Sequence, residues 1–421
     1  MDRSLKFFFS IMMIIALCFG YAAIYFPLEN HDFERLHIFL FNLCTGGTII
    51  LYFTEGTGRL SARTWLFLLF SLLYSLFAFL KIYPVTIFIS LGLASIVESL
   101  RIERFSLFPW NFFSMREPVS AKFHQASLLC LSIGLLMSSA VIINNEFIHA
   151  VTMDKLVLNT FFLGFSFPLS LITLSVIFSM IRTNGDPKQT VTLKNKGSNC
   201  VSSTYNTNHE SKTANRTRIN AGKRKTGVFR YCGSGKPDIE NINNILSVVC
   251  FWAINLGVII FFVFILFEKF YPQLFVTSIL FIAVITVFRL YRKFGQKMQQ
   301  KQFLSSGIGF LIATAISGII YILYQMAPDY NPENTKWLLR IHTFASLYGW
   351  NLCGLAVICR FKDFPIRLHS GVVIAIHWLT AIVLAPLGTH FVFFALMAVA
   401  GYIFIVVTLF FSNISTRQRT W

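Results

Sequence analysis

Charge is scarce in this chain. Asp, Glu, Lys and Arg together make up 13% of its 421 residues, and only 18 of them are acidic. The eight cysteines include no CxxC pair, which argues against a zinc ribbon or a thioredoxin-type redox motif. Cys18, Cys44, Cys130, Cys250, Cys353 and Cys359 lie in or beside apolar segments, where cysteine acts as a small buried hydrophobe. No pattern suggests a disulfide framework. A phosphate-cradling glycine loop, a nucleophile elbow and an HExxH are also missing, so the commonest signatures of nucleotide, ester and zinc-peptidase chemistry are absent.

What fills the chain is apolar. Hydrophobic residues reach 55%, 47 of the residues are Phe, and the mean hydropathy is +0.64. That is the composition of a polytopic membrane protein. The net charge of +18 could point to nucleic acid. The Lys and Arg residues, however, fall in alternate loops, as membrane topology requires, so no nucleic-acid partner is expected. The lipid bilayer is the expected partner, and the compartment is expected to be a bacterial inner membrane. The start, Met-Asp-Arg-Ser-Leu-Lys before an apolar run from Phe7, has signal-peptide features but no convincing cleavage site, so it reads as a retained first span.

Apolar stretches long enough to cross a bilayer as helices number about twelve. They cover 7–27, 36–54, 65–81, 83–100, 125–145, 156–181, 244–267, 272–290, 304–325, 338–359, 368–387 and 390–411. The expected fold is therefore all-α, a polytopic bundle of membrane helices. Only Lys81–Pro84 separate the third and fourth stretches, which leaves open two full spans or one re-entrant pair.

The loops orient the bundle. Arg3, Lys6, Arg59, Arg63, Arg101, Arg104, Arg116, Lys122, Arg289, Arg292, Lys293, Arg360, Lys362, Arg367, Arg417 and Arg419 fall on one side. Glu29, Asp32, Glu34, Glu146, Asp154, Glu268, Asp329 and Glu333 fall on the other. The positive-inside rule then gives N-in, C-in. Three regions follow: six spans in 1–182, a basic loop over 183–243, and six spans in 244–421. The loop is polar, with Arg216, Arg218, Lys223, Arg224 and Lys225 clustered, and is expected to be disordered and cytoplasmic. The sequons at Asn215 and Asn413 fall on that same side and are discounted.

Two histidines stand out. His37 opens the second span and is followed by Gly46 and Gly47; His342 sits in the tenth span, followed by Gly349. In this topology both enter from the acidic side at similar depth. Two such imidazoles could ligate a haem iron from both sides, with the glycines making room for the macrocycle. They could equally be interfacial histidines bonded to headgroups or loop carbonyls. Arg340 could neutralise a propionate or anchor its helix end. His377, near mid-span in the eleventh stretch, is a further candidate, because an ionisable group there is functional by default; a neutral imidazole bonded to the next helix is the alternative. His31, His149 and His390 lie at the acidic edge, and His124, His209 and His369 on the basic side are expected to be solvated. Asn42, Asn159, Asn255 and Asn351 read as interhelical hydrogen-bond partners. No repeat between the halves is evident, since the shared His-then-glycine pattern is short.

Leu36-His37 with Gly46-Gly47 resembles the low-spin haem stretch of the haem–copper oxidase catalytic subunit, closest to the cbb3-type and nitric-oxide-reductase branches. His342 with Gly349-Trp350 resembles that family's tenth-span His-x-His…Gly-Trp, and Phe161–Pro168 echoes its Trp-Phe-Phe-Gly-His-Pro. The resemblance implies a twelve-span scaffold with a haem between His37 and His342 (one metal, two imidazoles), serving electron transfer or gas sensing, with a redox partner protein or a small gas as its counterpart. This chain departs where Ser166 or Phe167 replaces the copper-ligating histidine, and its seventh and eighth spans hold no histidine. No copper site is therefore expected. Anchored on Gly349-Trp350, His342 takes the first position of the His-x-His, which in the family holds the high-spin haem, and Phe344 the second; with a short shift His342 instead pairs with His37 as the low-spin ligand. The alternative is a secondary transporter of a small solute, whose usual layout is two sets of six spans joined by a basic loop. Against it stand the few charges inside spans. A structural or assembly role without ligand is the third reading.

Overall fold

The computed structural model describes residues 3–26, 32–56, 58–151, 156, 162–181, 237–296, 300–361, 364 and 370–412. Among them the long elements are all helices. We number them α1 (Arg3–Tyr25), α2 (Phe33–Glu55), α3 (Ala62–Phe79), α4 (Tyr83–Arg104), α5 (Val119–Ile148) and α6 (Gly164–Met180). The second half comprises α7 (Pro237–Leu266), α8 (Phe270–Phe294), α9 (Gln300–Gln325), α10 (Pro332–Cys359), α11 (Gly371–Leu387) and α12 (Val392–Phe411). Ten are long and apolar enough to cross a membrane; α6 and α11 are shorter apolar helices. Lipid offers no partner to a backbone N–H or C=O, so a chain this apolar satisfies its main chain within helices. The all-α membrane bundle follows, and the protein is a multi-pass integral membrane protein.

The outward faces are greasy. Phe88 is 75% exposed, Phe275 68% and Phe393 67%, each on a helix side. Such side chains tolerate lipid but not water, which makes this surface the bilayer contact. Inward faces carry small polar residues among their buried Leu, Phe and Ile. Ser90 donates to the Leu135 carbonyl at 2.8 Å, and Ser127 to the Pro168 carbonyl at 2.8 Å. Small residues bring helices close and hydrogen-bond across them, the usual substitute for a hydrophobic drive within lipid. Two helix backbones come close where Gly134 of α5 lies on Gly164 of α6, and a Cβ on Gly134 would sit 2.2 Å from the Gly164 Cα.

Neighbours in sequence pack as neighbours in space through α3–α6 and again through α7–α10. The halves join where α6 packs on α10 and where α1 packs on α12. Helices α3 and α4 are separate, of 18 and 22 residues, turning through Lys81 at φ 59°. Each is long and apolar enough to span. Helix α7 begins at Pro237, seven residues before the stretch expected at 244. Proline is preorganised for the first turn of a helix and lacks only an N–H that would have no partner there. The rest of the expected 183–243 loop lies outside the described residues.

Several spans are not regular α-helix. Phe39–Gly47 in α2, Phe162–Ser166 leading into α6, Ala345–Asn351 in α10 and Leu379–Leu384 in α11 wind as π-helix. In α2 the Thr45 hydroxyl takes the carbonyl five residues back, Leu40, at 2.9 Å. Wide turns of this kind are uncommon and concentrate at functional sites.

Candidate functional site

The π-wound stretches meet. That of α2 touches the one leading into α6, that of α10 touches the one in α11, and α6 packs on both α2 and α10. At this junction lies a buried polar cluster. Asn351 Nδ2 donates to Ser166 Oγ at 2.9 Å, Ser170 Oγ donates to Asn351 Oδ1 at 3.2 Å, and Trp350 Nε1 donates to Ser170 Oγ at 2.9 Å. Asn42, on the π-wound part of α2, is also buried, and its Oδ1 has no hydrogen-bond partner. A buried amide oxygen without a donor costs about 1–3 kcal/mol. Asn255, in contrast, donates to the Phe251 carbonyl of its own helix at 2.8 Å, and Asn159 lies outside the described residues.

His37 and His342 are held in the same way. His37 Nδ1 lies 2.7 Å from the Ala16 carbonyl of α1, and a Cβ on Gly20, four residues on, would lie 3.1 Å from the same ring. His342 Nδ1 lies 2.9 Å from the Thr314 carbonyl of α9, and a Cβ on Gly318, again four residues on, would lie 3.3 Å from the ring. In each half an imidazole sits where a glycine has no side chain and donates to the carbonyl one turn earlier. Carbonyl acceptance at Nδ1 fixes the tautomer and turns the lone pair to Nε2, as in a metal-ligating histidine.

The described contacts of the two rings lead to different helices. The face of α10 toward α2 carries Tyr348, whose hydroxyl lies 3.0 Å from His37 Nδ1 and 3.4 Å from its Nε2. His342 turns instead to α9. Nor do the glycines border a gap. Cβ atoms on Gly46, Gly47 and Gly349 would lie 2.6 Å from Leu169, 2.9 Å from Phe67 and 2.5 Å from Phe310. Those side chains fill the space expected for a macrocycle, and the glycines act here in helix packing. These contacts oppose a haem shared by the two histidines.

His377 takes the second of its two readings. It is fully buried, its Nε2 donates to the Tyr348 carbonyl at 2.6 Å, and its ring packs on Phe310 at 4.7 Å between centroids. Arg340 Nη1 bonds His390, tying the start of α10 to the end of α11. His149 is exposed, at φ 55°. His124 is not solvated as expected: its Nε2 meets Thr54 Oγ1 at 2.8 Å, and Phe53 and Phe105 flank it. Helix α5 starts before His124, so the residue lies within the bundle. His31, His209 and His369 fall outside the described residues. No group of three or more His, Cys, Asp or Glu placed to hold a metal occurs among the described residues.

Residues not singled out in the sequence carry much of this geometry: Tyr348, Gly20, Gly318 and Ser170. One signal was legible. Phe41-Asn42-Leu43-Cys44 and Trp350-Asn351-Leu352-Cys353 share an aromatic-Asn-Leu-Cys run, one in each half and both within or at the end of a π-wound stretch. Asn42 is five residues past His37 and Asn351 nine past His342, so the runs are displaced by about one turn. Compared with known proteins, the chain matches no family model, no curated protein and no solved structure.

Proposed function

We propose that this membrane protein is a carrier for a small polar solute, working at the junction between its two sets of six spans. The observation that supports it is the hydrogen bond between broken helices of the two halves, Asn351 Nδ2 to Ser166 Oγ at 2.9 Å, with buried Asn42 on the π-wound part of α2 that packs against the stretch holding Ser166. Carriers commonly place their substrate site where interrupted helices of two halves meet inside the membrane, since irregular backbone there can line a polar path. The Gly134–Gly164 contact and the imidazole-on-glycine clasps supply close, polar-bonded helix pairs that can move as units. In the orientation given by the basic loops, both termini are cytoplasmic. Purified protein in proteoliposomes, challenged with radiolabelled amino acids, sugars and organic acids, tests this. Uptake of one class, lost in Asn351→Leu, is the expected result. Uptake of every class at the level of protein-free vesicles overturns it.

Haem binding is the second reading. What favours it is the Nδ1-to-carbonyl bond at both His37 and His342, which leaves each Nε2 as the lone-pair nitrogen. What opposes it is the orientation of His342 toward α9. A reduced-minus-oxidised visible spectrum of the purified protein decides: a sharp α-band at near-stoichiometric haem, lost in His37→Ala, supports an oxidase-like electron carrier or gas sensor. A colourless protein made with ample haem leaves the carrier reading alone.

A further inference from the structure

At the acidic end of the bundle, a cavity of about 50 Å³ opens among α2, α3, α4 and α5. Its floor is built. Tyr74 is 1% exposed, its hydroxyl lies 2.5 Å from Ser138 Oγ, and Phe39 packs edge-on against it at 5.1 Å between centroids. Its mouth is charged with both signs: Arg35 from the first turn of α2 and Glu146 from the last turn of α5 line it, with Tyr83 beside both. Among the described ion pairs, Arg35 uses Nε to meet Asp32 Oδ2 at 2.7 Å, and none joins it to Glu146. Two opposite charges thus line one small cavity, Arg35 through the face not taken by Asp32 and both hydrogen-bonded to Tyr83. Val141 and Ala78 give it an apolar wall.

We infer that this cavity binds a small zwitterion, an α-amino acid of the size of glycine or alanine. Its carboxylate would go to the Arg35 guanidinium and its ammonium to the Glu146 carboxylate. The chemistry selects the ligand. A planar guanidinium matches a carboxylate, and a carboxylate that accepts from a tyrosine keeps further lone pairs for an ammonium. A simple anion would meet Glu146, and a simple cation would meet Arg35; only a molecule with both charges satisfies the two walls. Size sets a limit, since about 10–15 Å³ of such space holds one water, so the cavity takes about three to five such groups and its open mouth has to take the rest of the ligand. Naming it the outer recognition site for transport rests on the carrier reading above; the binding site itself does not.

The test is isothermal titration of the purified full-length protein with L-alanine, acetate and methylamine, beside Arg35→Gln and Glu146→Gln. Glu146 is exposed and in no described ion pair, so its variant leaves the fold in place, which a single symmetric gel-filtration peak checks. L-alanine is expected to bind at least tenfold more tightly than either half-molecule, with each variant losing at least tenfold. Absence of L-alanine binding at millimolar concentration, or variants that bind as the wild type does, overturns the inference. Proteoliposome uptake of L-alanine separates the two readings. Binding without uptake leaves the site standing and removes the carrier reading; uptake unaffected by Arg35→Gln and Glu146→Gln does the reverse.

Discussion

The Tyr348 hydroxyl lies 3.0 Å from Nδ1 of His37, so the π-wound part of α10 bears directly on the histidine of α2. The carbonyl of the same tyrosine accepts from His377 of α11 at 2.6 Å. One residue therefore couples three helices from both halves, through its side chain on one face and its main chain on the other. Any rotation of α10 has to break one of these bonds or carry α2 and α11 with it.

Tyr348→Phe keeps the ring and its contact with Tyr402, 4.8 Å between centroids, and removes only the hydroxyl. Since Ala16 still accepts from His37, the loss is one neutral hydrogen bond, about 1 kcal/mol. A drop of a few degrees in thermal unfolding in detergent is expected. A variant as stable as the wild type would show that the hydroxyl is not bonded to His37.

His377→Phe is expected to cost more, about 1–3 kcal/mol, because it leaves the Tyr348 carbonyl buried with its side-chain donor gone. The aromatic replacement preserves the packing on Phe310. Unfolding midpoints of the two variants, measured side by side, check the order; equal midpoints contradict it.

The fold was legible because its determinants are coarse. Runs of about twenty apolar residues and alternating charge in the loops define helices and their order, and packing only refines their ends. Even the turn at Lys81 could be placed, though not the choice between a span and a re-entrant pair. The candidate site was legible only in part. His37 and His342 were visible as polar residues in apolar helices, but what faces them was not. Tyr348 reads as one aromatic among many, and Gly20 and Gly318 acquire meaning only once an imidazole from another helix rests on them. Gly46, Gly47 and Gly349 illustrate the converse. A glycine in a span makes room, and sequence does not say whether a cofactor or a Leu169, Phe67 or Phe310 side chain takes it.

Gly134→Ala and Gly371→Ala form a matched pair. The first places a methyl 2.2 Å from a backbone atom of Gly164, which cannot rotate away, whereas the second meets nothing within 4 Å. Overpacking of this kind costs about 1–3 kcal/mol. Gly134→Ala is expected to unfold earlier or to express poorly, and Gly371→Ala to match the wild type. Equal behaviour would mean that α5 and α6 do not touch backbone to backbone.

Arg101 poses the sharpest electrostatic test. It is 3% exposed and pairs through Nε with Glu98 Oε2 at 2.7 Å, while its two Nη atoms donate to the Ser106 and Leu107 carbonyls at 2.8 and 2.9 Å. It thereby closes the basic end of α4 onto the loop that follows, using all three nitrogens. Arg101→Met fills similar volume but strips three donors at once. Glu98 would keep only Ser132, which donates to its other oxygen at 2.5 Å. Because Glu98 is about a quarter open to solvent, water offsets part of the loss, and about 2 kcal/mol is the expected cost. Adding Glu98→Gln removes the stranded charge and should restore part of the stability. If the double variant were no more stable than Arg101→Met alone, the carbonyl bonds rather than the ion pair would be holding this end of the helix.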